Sequence, residues 1–237
     1  MSKLYFFRHG QASLGADNYD VLSPKGKAQS LKLGEYLVEK NIRFDRIFVG
    51  PHDRQKDTYE AMKSVYIQNK IPIPEAEEVF GLKEHQGIET MKKALPQLLV
   101  KDPYLKKLQL STKENPSLAK KNTLLSFQYF LGEWAEGNIV VDGVPTWKNF
   151  REEVKTGLDI ILNQVKKGET IAAFSSGGTI SAITAECVGL NEEKGIADLN
   201  FALRNTSMTT FLFSPEKFNL LSFNELPHLE KEMITFV

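Results

Sequence analysis

Hydrophobic positions along this chain alternate between two periods. Residues 3–7 ("KLYFF"), 44–50 ("FDRIFVG") and 169–175 ("ETIAAFS") are short apolar runs, the pattern of buried strands. A helix is predicted from Pro24 onward, with Ser23 placed to cap it, Pro24 suited to its first turn, and Ala28, Leu31, Leu37 and Val38 at helical spacing. A second helix follows over about 53–69, and "IPIPEAEEVFGL" (71–82) reads as an extended piece punctuated by prolines. Residues 88–168 are helical almost throughout, with one clear stripe of Trp147, Phe150, Val154, Leu158, Ile161 and Val165. After the strand at 169–175, Ile180, Ile183, Cys187 and Val188 give another helical face. The end of the chain, "TSMTTFLFS" and "FNLLSFNEL", reads as two strands joined by a Ser-Pro turn.

Strand and helix in alternation predict an α/β fold, a three-layer sandwich with helices on both faces of a mostly parallel sheet. The last two strands would add an antiparallel edge and make that sheet mixed. No repeat or linker divides the chain, so 1–237 is expected to be a single domain. The helical stretch is too long for one crossover, and about 88–145 is expected to form a helical cap insertion over the site.

Composition narrows the function. Thirty Lys+Arg balance thirty Asp+Glu, which argues against a nucleic-acid partner, whose phosphates demand a basic excess. A single cysteine, Cys187, suits a reducing cytosol and leaves no disulfide framework. The chain's four histidines lack a metal-ligand spacing, so neither a metal nor another cofactor is expected. Nothing resembles a signal peptide or a membrane span, and a cytoplasmic location is the expectation. Whether the chain pairs as a homodimer stays open.

The candidate chemistry lies at strand ends, where α/β folds bind their ligands. "RHGQ" supplies Arg8 and His9 after the first strand, "VGPHDR" supplies Arg54 after the second, and "SSGGT" opens a helix after the third. Two guanidiniums and helix N-terminal amides suit a phosphate-like dianion. A neutral His9 has a lone pair that can attack phosphorus, and Glu84 in "GLKEHQG" is the best placed proton donor for a leaving oxygen. The bland alternatives are a surface strand end for Arg8 and His9, and an ordinary helix-start cation for Arg54. Glu84 competes with Glu77, Glu78 and Glu89 nearby. His52 reads as a loop residue and His228 as a surface or edge-strand group, while Phe127, Phe130 and Trp134 read as a packed helix face.

"FFRHGQ", "LSPKGKAQ", "VGPHDRQKDTYEAM" and the late Gly-Gly turn, in this order along the whole chain, resemble the histidine phosphatase superfamily, with its phosphoglycerate-mutase-like fold. The resemblance implies a phosphohistidine at His9, phosphate ligands at Arg8 and Arg54, Glu84 as general acid, and Gln11 and Ser13 as polar residues lining the pocket. Where the superfamily carries a second histidine before Gly-Gly, this chain has Ser176, followed by Gly177, as in a branch with Ser-Gly-Gly. A serine donates a hydrogen bond without charge, and losing one charged donor costs roughly 10²–10³ in rate. His85 is an auxiliary candidate for the missing histidine.

These readings imply a phosphomonoesterase acting on a phosphorylated small molecule through His9 and Glu84. The alternative is a weak or inactive relative that binds phosphorylated ligands or a protein partner. A mutase is less economical, because Arg43, Arg46, Arg151 and Arg204 lie in no segment resembling a mutase substrate loop. "AFSSGG" also loosely matches a serine-hydrolase elbow, although the leading glycine of that motif is missing.

Overall fold

In the computed structural model, which describes residues 1–13 and 20–236, the apolar runs become the middle of one sheet. Its strands are β1 (Ser2–Arg8), β2 (Arg46–Val49), β3 (Ala76–Glu78), β4 (Thr170–Ser175), β5 (Met208–Ser214) and β6 (Lys217–Glu225). Among the described residues their order is β3-β2-β4-β1-β5-β6. β1, β2 and β3 run parallel to their β4 or β2 neighbours, whereas β5 and β6 pair antiparallel. The sheet is therefore mixed, as the paired C-terminal strands foretold.

Burial on both faces explains why the central strands are nearly continuous apolar runs rather than alternating ones. Leu4, Phe6, Phe48, Ile171 and Ala173 enter one core, while Phe7, Ile47, Val49, Ala172 and Phe174 enter the other. The second core is closed by α1 (Pro24–Glu39) and α2 (Asp53–Gln68). The first is closed by α6 (Trp147–Gln164) and α7 (Gly177–Val188), together with α3 (Gly87–Lys101) and α5 (Ala119–Ala135), while α4 (Pro103–Glu114) packs on α3 and α5. The stripe from Trp147 to Ile161 is buried as its spacing predicts, and so are Phe130 and Trp134. A further helix, α8 (Glu193–Ala202), packs beside α5 and α7 and had no strong periodic signal.

Two faces differ from expectation. Helix α1 buries Gly26, Gln29, Ser30, Leu33, Gly34 and Leu37, leaving Leu31 exposed. Small residues win over apolar ones because the neighbouring segments approach closely. A Cβ on Gly26 would stand 2.1 Å from the Gln11 carbonyl oxygen, and one on Gly10 would stand 2.6 Å from the Gly26 oxygen. Gly10 is thus required by this contact, not by a special turn. In α7, Val188 is exposed although Ile180 and Ile183 are buried, because the helix ends there at Gly189, which is left-handed at φ 70°.

Phe6 is fully buried in β1 and meets Phe211 edge-on at 6.0 Å. Phe6→Ala is expected to lower stability by about 3–5 kcal/mol in urea unfolding, and a loss under about 1 kcal/mol would contradict this packing.

Candidate active site

The C-terminal ends of β1, β4 and β2 lie side by side, and the chain delivers its polar residues there. His9 follows β1 and is tied down through its backbone: its N–H donates to the Ser175 carbonyl (2.9 Å), and its carbonyl accepts from Thr206 N–H (3.3 Å) and Asn205 Nδ2 (3.2 Å). Thr206 holds this position at φ 57°, which is strained for a β-branched residue and persists only where the surroundings impose it. Its hydroxyl lies 3.0 Å from His228 Nε2. His228 therefore braces the loop behind His9 instead of standing at the surface.

The imidazole of His9 is buried, and its Nδ1 donates to the Gly10 carbonyl at 2.7 Å. That bond fixes the neutral tautomer with the lone pair on Nε2, which accepts from Arg54 Nε–H at 3.2 Å. Burial first, then the charges of Arg54 and Arg8, hold the His9 pKa well below its usual value. Arg8 and Arg54 are themselves buried. Arg8 Nη1 donates to the Leu203 carbonyl (2.6 Å), and its Nε would lie 3.5 Å from a Cβ on Gly177. Two guanidiniums thus flank the imidazole.

Glu84 arrives on the loop that follows β3. It accepts from the N–H groups of His85 (3.0 Å) and Gly178 (3.1 Å), the latter at the first turn of α7. Burial pushes its pKa up, but His85, Arg54 and these two amides outweigh burial and leave it below the usual range. These contacts favour the ionised carboxylate. A Cβ on Gly178 would stand 2.3 Å from Glu84 Oε1, so glycine is needed for the helix to seat this carboxylate.

His85 is buried against Trp134, Trp147 and Phe150, with ring centroids 5.6–5.9 Å apart. Gly87 N–H donates to its Nδ1 (3.1 Å), while its Nε2 lies 3.6 Å from Glu84 Oε1 and 3.2 Å from Asn200 Nδ2. Ser176 is fully buried, and its hydroxyl accepts from Gln55 Nε2 at 2.8 Å. The neighbouring Ser175 donates to the Leu82 carbonyl. Among the described residues neither hydroxyl is bonded to an imidazole, so the serine-hydrolase alternative lacks its general base.

Arg8, His9, Arg54, Glu84, His85, Ser176 and Gly177 are therefore gathered at one end of the sheet. Gln11 and Ser13 lie on the adjoining loop. The Gln11 Oε1 accepts from the Ser23 hydroxyl at 3.0 Å, and Ser13 N–H donates to the Val21 carbonyl at 2.9 Å. Sequence reasoning missed Asp20, which pairs with Arg54 Nη1, and Gln55, which meets Ser176. It also placed His52 as a plain loop residue, whereas His52 Nδ1 is 3.5 Å from Asp20. Single polar residues brought together from distant segments leave no periodic signal.

Neither a protein-family profile nor a curated protein matches this chain in sequence. Solved structures do match in fold. Phosphoserine phosphatase from Entamoeba histolytica, crystallised as a His-to-Ala variant with phosphoserine, is 20% identical with a TM-score of 0.58, covering 97% of this chain and 100% of that one. Phosphoglycerate mutase from Bacillus anthracis is 18% identical with a TM-score of 0.60, over 96% and 94% of the two chains. A putative alpha-ribazole-5'-P phosphatase from Escherichia coli is 14% identical with a TM-score of 0.60, over 95% and 98%. This chain has the phosphoglycerate-mutase-like α/β fold found in histidine phosphatases, and at these identities the likeness speaks for the fold alone.

The braced loop carries a pH signature. Burial lowers the pKa of His228 to about 4, against about 6.5 when unfolded. Above pH 6.5 neither state binds the proton, and stability is unaffected. As pH falls below 6.5 the unfolded chain takes up a proton that the native state refuses, so stability drops until about pH 4. His9 adds to the fall in the same direction. Urea unfolding at pH 7.5 and pH 5 should show the loss, with His228 contributing up to about 2 kcal/mol at pH 5. In His228→Gln that share of the slope should vanish. An unchanged slope in the variant would contradict the brace.

Proposed function

We propose that this protein is a phosphomonoesterase working through a phosphohistidine at His9. The observation that carries the reading is the tautomer of His9: Nδ1 is committed to the Gly10 carbonyl, and the lone pair of Nε2 faces the buried guanidinium of Arg54, with Arg8 also within electrostatic reach. In this reading a phosphate dianion enters between Arg8 and Arg54, with Gly177 and the Ser176 hydroxyl on its far side and Gln11 and Ser13 framing the entrance. Arg54 shifts its N–H groups onto phosphate oxygens, which releases the Nε2 lone pair. Nε2 attacks phosphorus, the P–O bond to the alcohol breaks, and the leaving oxygen takes a proton from Glu84. Glu84 takes up that proton from solvent as the dianion binds, since negative charge beside it raises its affinity for one. Water, activated by the Glu84 carboxylate, then cleaves the phosphohistidine and restores neutral His9.

His85 serves here by holding Glu84. Residues 1–237 act as one domain in the cytoplasm, with 88–145 as its cap. Trp134 of α5 rests on His85, so the cap borders the side where the alcohol leaves. The second reading, a relative that binds phosphate esters with little turnover, draws on one observation. The far wall offers the neutral Ser176, whose oxygen already accepts from Gln55.

The test is turnover of p-nitrophenyl phosphate and of an alkyl phosphate, with ³²P trapped on the enzyme. Label in an acid-labile, alkali-stable bond at His9 is expected, together with complete loss of turnover in His9→Ala. Glu84→Gln should lower kcat by roughly 10²–10⁴ on the alkyl ester. The loss should be smaller on p-nitrophenyl phosphate, whose leaving group needs little protonation. Ester binding without turnover would favour the second reading, and label on another residue would exclude the mechanism.

A further inference from the structure

The charges of this site are layered by depth. The cations Arg8 and Arg54 lie inside, 8% and 6% exposed. Two carboxylates lie further out, with side chains 30% exposed for Asp20 and 18% for Glu84. Asp20 is firmly placed: Oδ1 is 2.5 Å from Arg54 Nη1, Oδ2 accepts from Asp53 N–H at 3.0 Å, and His52 Nδ1 is 3.5 Å away. His52 stands within electrostatic reach of both carboxylates and of Arg54, so these groups are neighbours at this end of the sheet. Building on the phosphomonoesterase reading, we propose that these groups border the mouth of the site, and that Asp20 makes it acidic and selects the substrate by the charge of its alcohol. Esters whose alcohol carries an ammonium or no charge are accepted, and those whose alcohol carries a carboxylate are disfavoured.

The physical case is a balance of charge. A phosphate dianion is matched by the two arginines, and Arg54 already shares its guanidinium with Asp20. Nothing positive among the groups just named is left to receive a further anion beside the phosphate. The alcohol must point away from His9, because attack on phosphorus proceeds in line with the leaving oxygen. It therefore points toward Glu84 and the acidic mouth. A unit charge a few ångströms from Asp20, at a partly solvated site, changes binding by roughly tenfold between ammonium and carboxylate, and salt reduces the difference.

The experiment compares three esters of similar size: O-phosphoethanolamine, ethyl phosphate and 3-phosphoglycerate. Their Kd values are measured by calorimetry on the His9→Ala protein, where no ester is consumed, with Asp20 present or replaced in His9→Ala/Asp20→Asn. The expected order is phosphoethanolamine tightest and phosphoglycerate weakest, about tenfold apart at low salt and closer at high salt. With Asp20→Asn the spread should fall to about threefold or less, even if overall affinity changes because Arg54 is less well held. Should the double variant misfold, the salt dependence of the order in His9→Ala alone decides. Equal binding of the three esters at low salt, an order insensitive to salt, or a spread unchanged by Asp20→Asn would overturn the proposal. Turnover of p-nitrophenyl phosphate by the native protein is followed separately. Its absence counts against the hydrolase reading, while the order of the three Kd values still decides the role of Asp20.

Discussion

An imidazole buried between two guanidiniums is tolerable only while it is uncharged. That single electrostatic condition organises much of the molecule. Arg8 and Arg54 cannot be neutralised, so the proton must stay off His9, and the Gly10 carbonyl takes the one N–H the ring has left. The backbone around His9 is then fixed from three sides, by Ser175 of β4, by Asn205 and Thr206 ahead of β5, and by Gly10 pressed on α1. The sheet order that sets β1 between β4 and β5 makes this bracing available. A neutral, aimed ring nitrogen is a consequence of topology as much as of residue choice.

The carboxylate side shows the complementary condition. Glu84 is held by two backbone amides and by His85, and Gly178 exists to let the α7 terminus close on it. Donors around a carboxylate favour its charged form. These contacts are therefore set against the protonation that the proposed acid role needs, and a bound dianion would reverse the preference. In the proposed mechanism, substrate binding and readiness for proton transfer are thereby linked through one pair of like charges.

Much of this was legible in the sequence wherever a residue sat within a periodic element. Strand-end Arg8 and His9, the helix-start Arg54 and the Gly-Gly turn were found because apolar runs end just before them. The stripe of α6 and the mixed sheet followed from period alone. The face of α1 did not, because close contact with the Gln11 backbone selects small residues over apolar Leu31. Asp20, Gln55, Asn205, Thr206 and His228 were equally silent. Each is a lone polar residue whose partner lies far along the chain, and no local pattern encodes such a pairing. Thr206 at positive φ is the extreme case, since its own propensity argues against the conformation that it adopts.

The aromatic setting of His85 has an optical consequence. The chain contains two tryptophans, and both abut that one imidazole, Trp134 at 5.9 Å and Trp147 at 5.7 Å. They also touch each other at 5.6 Å, on α5 and α6 respectively. The intrinsic emission of the protein thus originates almost entirely from one spot next to the Glu84 carboxylate. Any rearrangement there is written into the fluorescence of the native chain, with no label required.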